Sequence, residues 1–196
     1  MKIDSKNISV VVQGPIDWSL YQKSLKGTTL TLTQNIRKLL PDAEIVISTW
    51  EKQQIDGLLM DKVVFSKDPG AQGVAAGFVP NNVNRQIVST VQGLKAATRP
   101  FCLKIRSDMI IEGLDFIKIF CGKPDFPKNK GGFFRHAIVT NNFSSRNTET
   151  ISKKLHNHYL LFHPSDHVQF GYTEDIIKFW NVPFQTDSDA YYFLEQ

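Results

Sequence analysis

The triplet Arg106-Ser107-Asp108 interrupts an apolar run, KIRSDMII, and sets charge where a buried strand should end. A carboxylate in that place can hold Mg2+ or Mn2+, and a divalent ion can neutralise a diphosphate leaving group. An Arg106–Asp108 ion pair at a solvated strand end would account for the same residues without a metal. Asn84-Arg85 offers a second anchor. It falls in the first turn of an expected helix, where the dipole and the unbonded N–H groups favour anions. Arg85 could meet a phosphate through two parallel hydrogen bonds, although a helix-surface arginine is the ordinary alternative.

Asp68, in Asp68-Pro69-Gly70, could contact a ribose hydroxyl, though such a turn forms without any ligand. Gln13-Gly14-Pro15 would floor a base pocket. Trp50, following Thr49, would stack on the base or pack on the sheet. The densest group of titratable side chains is His163, Asp166 and His167 in HPSDH. Asp166 is the first choice for a general base taking the proton of an acceptor hydroxyl, and His163 the second. The HxxDH spacing is no established metal motif, and Ser165 or Asp166 could simply start a helical turn. Gly70, Gly73 and Gly77 match neither a Walker A loop nor the GxGxxG fingerprint, and imply only a flexible loop near the site.

These residues need a frame, and the first half of the chain supplies one. Ile8 to Gln13 (ISVVVQ), Glu44 to Thr49 (EIVIST), Lys62 to Phe65 (KVVF) and Phe101 to Ile105 (FCLKI) read as buried strands. Leu32, Ile36, Leu39 and Leu40 recur at helical spacing until Pro41. Val83, Ile87, Val88, Val91 and Leu94 mark a second helix, with Asn81 or Asn82 placed to cap it. Four strands joined by three helix-length crossovers predict a doubly wound parallel α/β sheet, Rossmann-like, flanked by helices. Ligands of such sheets collect outside the carboxyl ends of the strands, which is where Gln13, Thr49, Asp68 and Ser107 fall. The second half is less regular. Phe133 to Thr140 could be a strand, Asn141 to Lys154 a lid or surface loop, and Glu174 to Trp180 a short helix.

Composition bounds the rest. With 196 residues, 41% hydrophobic and 21% charged, the chain suits one domain with a full core. Its formal charge of +4 fits a phosphate-bearing substrate or an anionic membrane surface. Cys102 and Cys121 have neither zinc nor disulfide spacing, which favours a reducing compartment. No secretory h-region opens the chain and no stretch reaches roughly 18 apolar residues, so a cytoplasmic protein, at most peripheral to the inner membrane, is expected. No basic stripe interleaved with aromatics speaks for nucleic acid.

Taken in order, VVVQGPI, IRKLLPDAEIVISTW, DPG, NVNRQIVST with GLKAA, LKIRSDMII, and FHPSDHVQFG with EDIIKFW resemble the WavE lipopolysaccharide-synthesis family, over about residues 8 to 182. The resemblance implies a GT-A-like glycosyltransferase using a nucleotide-sugar donor and a glycan or lipid-linked acceptor of the bacterial surface. It implies a donor-binding half over 1–110 and an acceptor-side half over 111–196. RSD stands where such enzymes carry DXD: Asp108 matches the metal-contacting aspartate and Arg106 replaces the first one, which puts a strict need for Mn2+ or Mg2+ in doubt. The chain ends in DAYYFLEQ where family members continue, so a trimmed or naturally short acceptor side is expected. A nucleotidyltransferase would use a similar sheet, but QGPIDWSLYQKS is a poor match to its Gly-rich basic loop. A non-catalytic glycan- or partner-binding relic is the remaining alternative, favoured by the single Asp of RSD.

Overall fold

The computed structural model describes residues 3–19, 28–71, 81–125, 132–142 and 165–186. Ile8–Gln13 forms β1, Glu44–Trp50 β2, Lys62–Ser66 β3 and Phe101–Arg106 β4. Every residue of β1 and β2 is buried. Branched side chains pack well on both faces of such strands, which is why these segments show no polar alternation. β1 runs parallel to β2 and to β4, with Gln13 opposite Ser48 on one side and Arg106 on the other. β3 extends the parallel set beyond β2. Val168–Tyr172 forms β6, antiparallel to β4, and Val139–Thr140 forms β5, antiparallel to β6. The strand order is β3-β2-β1-β4-β6-β5. The fold is α/β, a mostly parallel sheet flanked by helices, as the sequence predicts.

Alternate residues of β1 serve opposite layers. Val10 and Val12 pack with Leu32 and Ile36 of α1 (Thr28–Leu39), and Val11 with Ile87 and Leu94 of α2 (Val83–Ala96). Gly93 lets α2 lie close on the sheet: a Cβ there would stand 2.5 Å from Val11 Cγ1 and 2.8 Å from Ser48 Cβ. α3 (Asp115–Cys121) brings Phe120 against Phe101, Phe170 and Tyr172. α4 (Thr173–Trp180) joins the α2 layer through Ile176 and Trp180. Among the described residues, no helix is long and apolar enough to cross a membrane.

The differences from expectation have local causes. The connection from β2 to β3, residues 51–61, contains turns and no helix, with Gly57 at φ 86°. Only two of the three expected crossover helices therefore form. The strand expected over Phe133 to Thr140 shrinks to two residues. Its first half turns away because the Asp175 carboxylate takes the N–H groups of Arg135 and His136, both at 2.9 Å, in place of a ladder partner. Of the expected lid, all but Asn141 and Asn142 lies outside the described residues.

Glu44 joins three strands at one corner. Its carboxylate accepts from Ser9 Oγ of β1 and from the Thr98 N–H and hydroxyl, and it pairs with Lys62 of β3 at 2.7 Å. Burial works against its charge, but these partners outweigh burial and hold the carboxyl at about 2. The folded value lies below the unfolded one, so the stabilisation is complete above about pH 5 and fades as the pH falls toward 2. Glu44→Gln is expected to cost roughly 2–3 kcal/mol at neutral pH. Urea melts should show its gap to wild type closing on acidification; a gap independent of pH would contradict this account.

Candidate functional site

β1 to β4 end at one edge, and between β3 and β4 the chain passes to the far side of β1, so a crevice opens between their exits. A cavity of about 570 Å3 lies there, a size usual for a small-ligand site. Gly14 begins its floor with φ 116°, a conformation glycine adopts without strain; a Cβ there would stand 2.9 Å from Ser107 Oγ. Ser107 ties the two exits together. Its N–H donates to the Gln13 carbonyl at 2.9 Å and its hydroxyl to the Pro15 carbonyl at 2.5 Å. The Gln13 side chain is fixed in turn by Ser89 Oγ of α2, which donates to Oε1 at 2.6 Å.

Two arginine–aspartate pairs line this cavity. Arg85, in the first turn of α2, donates to both Asp68 oxygens at 2.8 and 2.7 Å. Asn82 lies at the N-cap position without capping, its Oδ1 accepting from Arg85 at 3.0 Å. Arg106, the last residue of β4, donates to both Asp108 oxygens at 3.0 and 2.6 Å. The Arg85 hydrogen bonds hold the Asp68 carboxyl below its ordinary value. Burial pushes the Asp108 carboxyl up, and the Arg106 guanidinium outweighs it, leaving this carboxyl below its ordinary value too. Arg106 also faces Asp166, whose Oδ2 is 3.8 Å from its guanidinium and is buried without a hydrogen-bond partner.

Nine of the residues singled out in the sequence therefore line one cavity: Gln13, Gly14, Pro15, Trp50, Asp68, Arg85, Arg106, Ser107 and Asp108. Asp166 stands beside it through Arg106. Thr49 does not reach it and is wholly buried. Asn84 does not either: its amide clasps the Gln185 backbone by two bonds, of 3.0 and 2.8 Å. His163 lies outside the described residues. Sequence reading missed Asp17, Gln86 and Ser89 of the cavity wall. Ser89 had a usable signal, one helical turn after Arg85.

The side chains present do not make a ready divalent-metal site. Both Asp108 oxygens are taken by Arg106, and among the described residues no group of three or more His, Cys, Asp or Glu converges.

Lys104, also missed, is wholly buried beneath the site. Its ammonium donates to the Asp166 carbonyl and lies 4.7 Å from the Trp180 ring centre. Trp180 donates to Gln169 Oε1 at 2.6 Å, and Gln169 donates to the Ser165 carbonyl at 3.2 Å. This chain of contacts fixes the segment that carries Asp166.

The sequence profile described as WavE lipopolysaccharide synthesis matches residues 8–192. The chain belongs to the WavE lipopolysaccharide synthesis family. Among solved structures, this WavE chain is similar to 4-diphosphocytidyl-2C-methyl-D-erythritol synthase from Anaerococcus prevotii, at 12% identity and a TM-score of 0.49, over 95% of this chain and 82% of that one. No curated protein sequence matches it.

Burial pushes the Lys104 ammonium down to about 7, against the charge of Asp166 and with that of Arg106. The folded value lies below that of an unfolded lysine, so the unfolded chain binds more protons between about pH 7 and pH 10, and wild type gains stability across that window. Lys104→Met removes this titration. Its melting temperature relative to wild type is expected to be most favourable near pH 6 and to fall by several degrees toward pH 9. A difference that stays flat with pH would contradict the burial of a charged lysine.

Proposed function

We propose that this WavE protein is a glycosyltransferase that moves a sugar from a nucleoside-diphosphate donor to a growing bacterial surface glycan. One observation carries the reading: strand exits and two guanidinium groups meet at a single cavity of ligand size, in a family of lipopolysaccharide synthesis. Gln13 and Trp50 would face the base, and Arg85 and Arg106 the diphosphate. Residues 1–110 would supply the donor half and 111–196 the acceptor side.

In the transfer, a bond forms between the acceptor oxygen and the anomeric carbon while the bond to the diphosphate oxygen breaks. Negative charge grows on the departing diphosphate, and donors already aimed at it lower the barrier most. Arg85 and Arg106 are such donors, each with a planar fork matched to phosphate oxygens. The acceptor proton must leave as the new bond forms, and Asp166 would receive it. A base in that role goes with direct displacement and inversion at the anomeric carbon. Arg106, which lines the cavity and pairs with Asp166 at 3.8 Å, would orient that carboxylate.

Calorimetry against UDP, GDP, CDP and CMP is expected to find sub-millimolar binding of at least one, weakened about tenfold or more in Arg85→Gln and Arg106→Gln. Asp166→Asn should leave that affinity unchanged and cut turnover, read as transfer or slow donor hydrolysis, by about 10²- to 10⁴-fold. If none of the four nucleotides binds, the donor-site reading fails. If Asp166→Asn turns over normally, Asp166 is not the base.

A further inference from the structure

Each arginine of the cavity is already engaged, and in the same way. An aspartate just past a strand end presents both carboxylate oxygens to the guanidinium fork, Asp68 after β3 to Arg85 and Asp108 after β4 to Arg106. All four side chains line the cavity and all are partly exposed. Ion pairs in such places are screened and weak. A phosphate group offers the guanidinium the same two-oxygen geometry with more negative charge. The carboxylates neutralise two like charges at one opening and hold both forks oriented, yet bind them loosely enough for exchange. The backbone supports this use: Asp68 Oδ1 also takes the Gly70 N–H at 2.9 Å, which keeps the carboxylate in place if its arginine turns away.

Resting on the donor-site reading, we infer that Asp68 and Asp108 are latches that hold Arg85 and Arg106 until a diphosphate displaces them, so that two guanidinium groups balance its charge without a divalent ion. Asp108, the residue placed to hold a metal by the family resemblance, is then a competitor of the ligand. The two roles make opposite statements about the same substitution. Loss of a metal ligand weakens diphosphate binding, whereas loss of a latch strengthens it. No covalent step is involved; one anion replaces another on each fork.

The test is isothermal titration of wild type, Asp68→Asn and Asp108→Asn with UDP, GDP, CDP and inorganic pyrophosphate, each in EDTA and in Mn2+. A nucleoside diphosphate should bind equally well in both media, and each Asp→Asn change should tighten it by about two- to fivefold, the scale of a partly exposed ion pair. Binding that appears only with Mn2+ would overturn the latches while leaving the donor site standing. Pyrophosphate binding in EDTA, tightened by the substitutions but unmatched by any nucleotide, would support the latches and remove the donor reading. Loss of binding in Asp108→Asn at an unchanged melting temperature would overturn the inference. Because each aspartate is tested alone, a variant that fails to fold leaves the other to decide.

Discussion

The parallel pairing of β1 with β2 and with β4 is the constraint on which the site depends. Gln13 lies opposite Arg106 in register, so β1 and β4 end together at the sheet edge, and opposite Ser48, from which β2 runs on to Trp50 at the same edge. A slip of one residue would send every side chain of a strand to the other face. Close packing opposes such a slip. α2 rests on Val11 and Ser48 through a glycine that leaves no room for a larger side chain, and Ser48 donates to the Ser89 carbonyl of α2 at 2.6 Å. The helix that presents Arg85 is thereby registered to the strand that presents Gln13.

Electrostatics at this edge is arranged in depth. Lys104 lies below, wholly buried, holding the backbone of Asp166. Arg106 lies above it on the same strand, two residues on and so on the same face, between Asp108 and Asp166. A buried ammonium is costly unless its protons find acceptors. Here a carbonyl and the face of Trp180 receive it. The price is a lysine displaced far toward neutrality, and the return is a fixed approach of β6 to the site.

Much of this frame was legible because long branched runs admit few structures. ISVVVQ gave β1 to the residue, and EIVIST, KVVF and FCLKI each fell one residue short of their strands. The polar residues that follow such runs were placed at one edge by topology alone. Elsewhere pattern gave less. β6, VQFGY, carries a glutamine and a glycine that break the apolar run, and its position comes from pairing with β4, a contact between residues as far apart in sequence as Phe101 and Tyr172 that no window can see. α3 is seven residues long, too short to show periodicity. Asn84 and Thr49 look like site residues by adjacency, but one bonds to the Gln185 backbone and the other is wholly buried away from the cavity lining. Lys104 was hidden by its own type, since lysine is almost never fully buried. Asp108 follows the end of β4, and its bidentate pairing with Arg106 is a matter of side-chain geometry that sequence offers only as one alternative.

The central claim, that this edge of the sheet receives an activated sugar through its diphosphate, is tested most directly by a crystal structure with a bound nucleoside diphosphate. The account predicts the two phosphates between Arg85 and Arg106 and the base beside Gln13 and Trp50. A nucleotide seated anywhere else on the chain, with both arginines untouched, would contradict it.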